Sequence, residues 1–201
     1  LEEDGYGLRP NIGIRGATSE RSAKITLMED GVLIAPAPYS NPEAYYFPTT
    51  LRMRSIEVLK GAPLLRYGPQ TTGGVVNLVS TPIPEQDSGN LNLAYGQNNE
   101  VNLLANYGGQ VGAFGYLLET SQRRSDGYKD IDRSSANTGF DLEDYVAKLG
   151  WEGGRQSVLL KAQYSKETSD ETYLGLTDVD FDRDDTRRYG LSRIDKMDND
   201  H

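Results

Sequence analysis

Residues 56–82 read IEVLKGAPLLRYGPQTTGGVVNLVSTP, and the rest of the chain is organised around this stretch. Two apolar, strand-like runs, 56–59 and 75–79, bracket a segment broken by Gly61, Pro63, Gly68, Pro69, Gly73 and Gly74. Glycine opens positive φ, while proline fixes φ and removes a donor, so the backbone between the runs must turn repeatedly in little space. Val75-Val76-Asn77-Leu78-Val79 is short and β-branched, the composition of a strand buried on both faces. Glycine-rich turns join strands in many β proteins, so spacing alone leaves an ordinary sheet and a more specific motif both open.

Upstream, short strands are expected at 12–15, 25–28 and 32–35, separated by loops rich in Pro, Gly, Asn and Ser. Ala37-Pro38-Tyr39-Ser40-Asn41-Pro42 must be a loop, because its two prolines exclude regular structure. Pro48-Thr49-Thr50-Leu51 followed by Arg52-Met53-Arg54-Ser55 predicts one short helical turn leading into the 56–59 strand. Residues 1–85 therefore read as a compact α+β module, closed by the stiff link Thr81-Pro82-Ile83-Pro84-Glu85.

From about residue 86 the pattern changes to alternation of period two. Leu91, Leu93 and Tyr95 alternate with polar or small residues, and so do Val101, Leu103, Ala105 and Tyr107. The same holds for Phe114, Tyr116 and Leu118, for Tyr145, Ala147, Leu149 and Trp151, and for Val158, Leu160, Ala162 and Tyr164. About five antiparallel strands follow, each near the roughly 9–11 residues that cross a bilayer when tilted. Their connections alternate between short and long, with 96–100 a short exception, and 168–201 is expected to run out as loop. The pattern predicts that Leu93, Leu103, Leu149 and Leu160 share one face, with Lys148 on the other. A soluble sheet would turn its polar face to water and a membrane barrel would turn it to its lumen, so the pattern leaves both open.

Composition narrows the chemistry. The 201 residues carry a net charge of -9, which argues against nucleic acid as a partner. Cysteine is absent and the one histidine is His201, which removes thiolate metal sites and most triad chemistry. Without a base to activate a nucleophile, no catalytic residue is assigned and the chain does not read as an enzyme. Asp178-Val179-Asp180-Phe181-Asp182 resembles the start of an EF-hand loop, but Arg183 replaces the required Gly and Tyr189 the required Glu. It reads as a solvated acidic loop, and no metal ligand is assigned. Among the aromatics, 13 Tyr stand against 4 Phe and 1 Trp, a bias that suits a boundary between apolar and wet surroundings as well as plain β preference.

Four ordered motifs settle the alternatives left open above. Asn11-Ile12-Gly13-Ile14-Arg15-Gly16, Met28-Glu29-Asp30-Gly31-Val32, Ile56-Glu57-Val58-Leu59-Lys60-Gly61 and Tyr67-Gly68 followed by Gly73-Gly74-Val75-Val76-Asn77 resemble the plug domain of TonB-dependent outer-membrane receptors. Arg66-Tyr67-Gly68-Pro69-Gln70 and Ala37-Pro38-Tyr39 are most similar to the ferric dicitrate branch of that family. Lys60 departs from the pattern, since the family more often carries arginine there; the charge is kept and the bidentate fork is lost.

The resemblance implies a fold of an α+β plug module (1–85) followed by the first strands of an antiparallel transmembrane β-barrel (86–201), a piece of a longer receptor. It places the protein in the outer membrane of a Gram-negative bacterium, importing a ferric chelate, ferric citrate or a related carboxylate siderophore. The rival readings are another cargo (a different siderophore, a nickel complex or an oligosaccharide) or a soluble β-rich binding or adhesion domain. The implied partners are outer-membrane lipid, the chelate, and TonB with its ExbB-ExbD complex, whose contact box would lie upstream of Leu1. No cofactor is implied, the iron belonging to the ligand. Ligand-facing candidates are Tyr6, Pro38, Tyr39 and Gln70 at the plug apex, with Arg187 and Arg188 in an outer loop. Arg15 and Lys60 match plug positions whose cations pair with barrel glutamates and hold the plug in place.

Overall fold

The computed structural model describes residues 5–14, 16, 19, 22–34, 46–61, 67, 72–172, 174–192 and 194–200. The chain divides into two compact units, Leu1–Pro82 and Ile83–His201.

In the first unit a four-stranded sheet is built from β1 (Ile25–Glu29), β2 (Val32–Leu33), β3 (Met53–Leu59) and β4 (Gly74–Ser80), in the order β2-β1-β4-β3. β1 and β4 run parallel at the centre, and the two outer pairings are antiparallel. Central strands bury both faces, which is why all five β1 residues are buried and Val75 and Leu78 of β4 are wholly enclosed. Ile25, Leu27, Phe47, Val76 and Leu78 form one side of the core, with Ile12 and Ile14 packed on it. Met28 and Val75 form the other, against Leu59 and Tyr67.

The β1–β2 hairpin closes through Asp30 (φ 50°) and Gly31 (φ 81°), the two positive-φ residues a two-residue turn requires. Asp30 also ties the hairpin to β4: its two carboxylate oxygens accept from the Ser80 N–H and hydroxyl at 2.9 and 2.6 Å. A 3-10 turn at Thr50–Arg52 precedes β3, as the sequence predicts, and it carries a function the sequence did not announce. It aims Arg52 at Glu29, and the two form a bidentate pair at 2.6 and 3.0 Å with their side chains 0% and 3% exposed.

Two expectations for this unit change. Residues 11–14 form no strand, because the Ile12 N–H donates to Ser22 Oγ at 2.9 Å instead of to a neighbouring strand. Of the run predicted at 32–35, only Val32–Leu33 pair, and residue 35 lies outside the described residues.

The second unit is a six-stranded antiparallel meander. Its strands are β5 (Ser88–Tyr95), β6 (Val101–Val111), β7 (Phe114–Ser125), β9 (Phe140–Gly153), β10 (Gln156–Thr172) and β12 (Ile194–Asp200), hydrogen-bonded in chain order. β8 (Asp130–Ile131) and β11 (Arg187–Arg188) pair separately in the long connections, and a six-residue helix, α1 (Asp178–Arg183), lies between β10 and β11. Tight turns at Gly112-Ala113 and Gly154-Arg155 close one end of the sheet, and the long connections lie at the other.

The five period-two runs are strands. The sixth strand corrects the expectation that 168–201 is loop. β12 pairs with 166–172 of β10; that part of β10 is polar throughout, and the two apolar residues of β12, Ile194 and Met197, fall three apart, so no period-two alternation reveals either segment. With 17 residues, β10 spans about 56 Å at a strand's rise of ~3.3 Å per residue. A bilayer's hydrocarbon core is about 30 Å thick, so even a tilted strand of that length extends beyond it.

Cross-strand register fixes the faces. Leu93 lies opposite Leu103, and Leu160 opposite Leu149, while Leu103 meets Gln122 on β7 and Leu149 meets Tyr116. The four leucines therefore share one face, and Lys148 points to the other. That apolar face is the exposed one: Leu93 is 69%, Leu149 60% and Leu160 63% accessible. Glu119, Ser121, Asp144 and Lys148 occupy the opposite face and are buried, among Leu117, Leu142 and Val146. No described helix is long and apolar enough to cross a membrane.

Candidate functional site

Each unit carries its own candidate groups. In the first, Tyr6 is half-buried just before the buried Leu8 and Arg9, and Lys60 is exposed immediately after β3. Pro38, Tyr39, Gln70 and Arg15 lie outside the described residues.

The second unit brings together two outer connections, 126–139 and 173–193, that are far apart in sequence. The parallel β8–β11 pair joins their backbones: the Asp130 N–H donates to Thr186 O at 2.9 Å and the Asp132 N–H to Arg188 O at 2.8 Å. Side chains reinforce the seam. Arg187 Nε and Nη2 donate to the Asp132 carboxylate at 3.0 and 2.9 Å, and Nη1 lies 3.7 Å from Asp180 Oδ1. The Tyr189 hydroxyl donates to Asp180 Oδ2, and the Arg187 guanidinium sits 5.5 Å above the Tyr189 ring. Gly190 permits the approach, since a Cβ there would come within 2.9 Å of Asp132 O. A hollow of about 680 Å³ lies beside the seam, lined from both loops by residues that include Arg133, Ser134, Tyr189 and Leu191.

Charge placement follows from these contacts. Arg187's hydrogen bonds hold Asp132 below the usual carboxylate range, and the reciprocal pairing raises the guanidinium further. Tyr189 and then Thr177 lower Asp180 in the same way, and the Thr186 hydroxyl lowers Asp184. Thr177 also caps α1, its Oγ1 accepting from the Asp180 N–H at 3.3 Å.

Both outer-loop candidates are engaged within the protein: Arg187 gives its fork to Asp132 and keeps 37% of its side chain exposed. Arg188 gives Nη1 to the carbonyls of Asp185 and Arg187 at 2.9 and 2.7 Å, and is half-buried. Sequence reading missed Asp132, Asp180 and Tyr189, because two-residue strands such as β8 and β11 leave no periodicity to detect. The acidic run 178–185 forms a capped helix, and the described residues hold no group of three or more His, Cys, Asp or Glu placed to bind a metal.

The exposed apolar face carries tyrosines near both of its ends. Tyr95 OH donates to Asn99 at the long-connection end, and Tyr116 OH to Asp87 at the turn end, each ring on the apolar face with its hydroxyl reaching a polar group. Apolar residues outside and polar ones buried is the reverse of a soluble sheet.

Residues 2–75 match the family model described as the TonB-dependent receptor plug domain. The first unit is a TonB-dependent receptor plug. Among solved structures, the chain is similar to the ferric citrate transporter FecA in its unliganded form, with 26% identity, a TM-score of 0.73, and 90% of this chain and 28% of that one covered. It also resembles the siderophore receptor PirA of Acinetobacter baumannii, at 21% identity and a TM-score of 0.60, covering 82% of this chain and 27% of that one. For the pyoverdine outer membrane receptor FpvA of Pseudomonas aeruginosa PAO1 the values are 15%, 0.65, 84% and 26%. The last two likenesses show the fold alone.

Two curated relatives are vitamin B12 transporters named BtuB. That of Photobacterium profundum is 24% identical over 170 residues, covering 83% of this chain and 27% of its own length. That of Vibrio vulnificus is 27% identical over 150 residues, covering 73% and 24%. The chain thus spans about a quarter of the length of the relatives it matches. A plug followed by antiparallel strands is the fold that this chain shares with these receptors and transporters.

Proposed function

We propose that the protein is a TonB-dependent outer-membrane receptor that imports a ferric chelate, specifically ferric citrate or a related carboxylate siderophore. The observation that carries the reading is the pairing of a plug with a sheet whose apolar face is exposed and whose Glu119, Asp144 and Lys148 are buried. Such a sheet is stable where lipid covers the outside and polar groups line the inside. The cargo rests on the likeness to the ferric citrate transporter over 90% of the chain, and on Arg66-Tyr67-Gly68-Pro69-Gln70.

In this reading Tyr6, Pro38, Tyr39 and Gln70 present neutral donors, acceptors and ring edges to the chelate, and Arg187 and Arg188 add cations from the outer loops. Arg15 and Lys60 pair with barrel carboxylates and hold the plug until energised TonB, driven by ExbB-ExbD, displaces it. Iron enters as cargo, and no resident cofactor takes part. Arg15→Ala should raise small-solute conductance through the full-length receptor in a planar bilayer while leaving chelate affinity nearly unchanged. Lys60→Arg should keep the pore shut.

A cobalamin cargo is the second reading, favoured by the two vitamin B12 transporters among the relatives. Calorimetric titration of the full-length receptor with iron(III) citrate, iron-free citrate and cobalamin separates the two. Saturable binding of iron(III) citrate alone is expected, and saturable cobalamin binding without it transfers the assignment to the second reading.

A further inference from the structure

We propose that Arg187 is a positioning residue that couples the two outer connections, 126–139 and 173–193, into one mechanical body, so that a ligand touching either loop moves both. The inference rests on the second unit alone and does not depend on which chelate is carried.

The ladder between β8 and β11 is two residues per strand, too short to hold two long loops together by itself. What completes the seam is one guanidinium that reaches both loops. Arg187 grips Asp132 of the first loop through two parallel N–H donors, the charge-assisted fork that gives strength and direction together. Within its own loop the same group lies over the Tyr189 ring and beside Asp180, whose carboxylate is fixed by Tyr189 and by the Thr177 cap of α1. Helix α1, the Tyr189 ring and β11 are therefore oriented around one cation, and that cation is anchored on the neighbouring loop. The hollow lined by Arg133, Ser134, Tyr189 and Leu191 takes residues from both loops, so its shape holds only while the seam holds.

Lysine has one point charge in place of the fork, which gives the conservative variant a graded effect. The seam also senses acid. Asp132 faces Arg187, Arg133 and Asp180, while Asp180 faces Tyr189, Arg187 and Arg183. Their folded-state pKa values are depressed, so the seam is complete above the ordinary carboxylate range and weakens as pH falls through the lowered values.

The test is amide hydrogen exchange on the full-length receptor in detergent micelles. In the native protein the amides of Asp130 and Asp132 donate across the seam and should be protected. Arg187→Ala should speed exchange at these two amides about tenfold although the substitution lies 55 residues away on the other loop, leaving β9 and β10 unchanged. Arg187→Lys should fall between the two, and Asp132→Asn should speed exchange and flatten its acid dependence after correction for intrinsic rates. Unchanged exchange at 130 and 132 in Arg187→Ala would overturn the proposal. So would an equal rise through β9 and β10, which would make Arg187 a general stabiliser instead of a coupler.

Discussion

Val75 and Asp144 are both wholly buried, and Leu149 is 60% exposed. The central strands of the first unit hide their aliphatic residues, and the second unit displays a full apolar face while burying Glu119, Asp144 and Lys148, although both are sheets drawn from one chain. In β4 side chains pack on both faces, Phe47, Ile12 and Ile14 with Val76 and Leu78, and Leu59 and Tyr67 against Val75, so the sequence runs apolar with little alternation. In β9 Tyr145 and Leu149 face outward, while Asp144 and Lys148 are buried beside Phe140, Leu142 and Val146. The difference teaches that alternation specifies a face and leaves open what covers it. The identity of the cover comes from which set is buried, and here the polar set is.

The largest expected effect tests the burial rule at its exception, the charged pair inside the first unit. Arg52→Ala leaves the enclosed Glu29 carboxylate without its bidentate partner and should cost about 3–5 kcal/mol. Replacing both by apolar residues of similar volume, Arg52→Met with Glu29→Leu, should recover most of the loss. Denaturant melts followed at the β1 amides measure both. If Arg52→Ala cost no more than a surface pair, the 3-10 turn would be held by something else.

The second unit inverts the sign. Leu160→Arg places a cation on the exposed apolar face near mid-belt and should cost about 2–4 kcal/mol, whereas Lys161→Ala on the opposite face should be tolerated. The yield of heat-modifiable folded receptor on a detergent gel reports both. Equal losses would mean that the apolar face is not covered by lipid, and the contrast between the two units would collapse.

A third change acts through backbone geometry. Gly31 holds φ 81° in the β1–β2 turn, so Gly31→Val forces a β-branched residue into the left-handed region at about 1–2 kcal/mol. The second unit should not respond, which separates the two folding units in a melt that resolves them.

Much of this contrast was legible before any coordinates. The doubly buried 75–79 run and the shared face of Leu93, Leu103, Leu149 and Leu160 are written in composition and period. What was not legible follows from the same physics. Ile12 and Ile14 pack on the core as a strand would, yet a hydroxyl takes the backbone donor that a ladder needs. β12 lies where β10 is polar on both faces, and two-faced polarity leaves no period to read. The Arg52–Glu29 and Arg187–Asp132 pairs join residues 23 and 55 positions apart, distances at which charge alone gives no partner. Of the plug-apex candidates the described residues include Tyr6, and its partner in a ligand awaits the binding experiment.

The smallest expected effect sharpens the comparison in a loop-borne helix, where the carboxylate is only partly buried. Asp180 belongs to a surface loop, yet its carboxyl is held low, first by the Tyr189 hydroxyl and then by Thr177. Tyr189→Phe removes that donor while keeping the ring beneath Arg187, so the cation–π contact survives. The Asp180 pKa should then move up toward the ordinary carboxylate value. A depressed carboxylate contributes order above its ordinary pKa and loses it as pH falls, so the variant loop should loosen at a higher pH than the native one. Carbon-detected NMR titration of Asp180 in the selectively labelled receptor measures the shift directly. If Asp180 titrated at the same pH in both proteins, the Tyr189 hydroxyl would not be what holds it, and Thr177 with the nearby arginines would carry the effect.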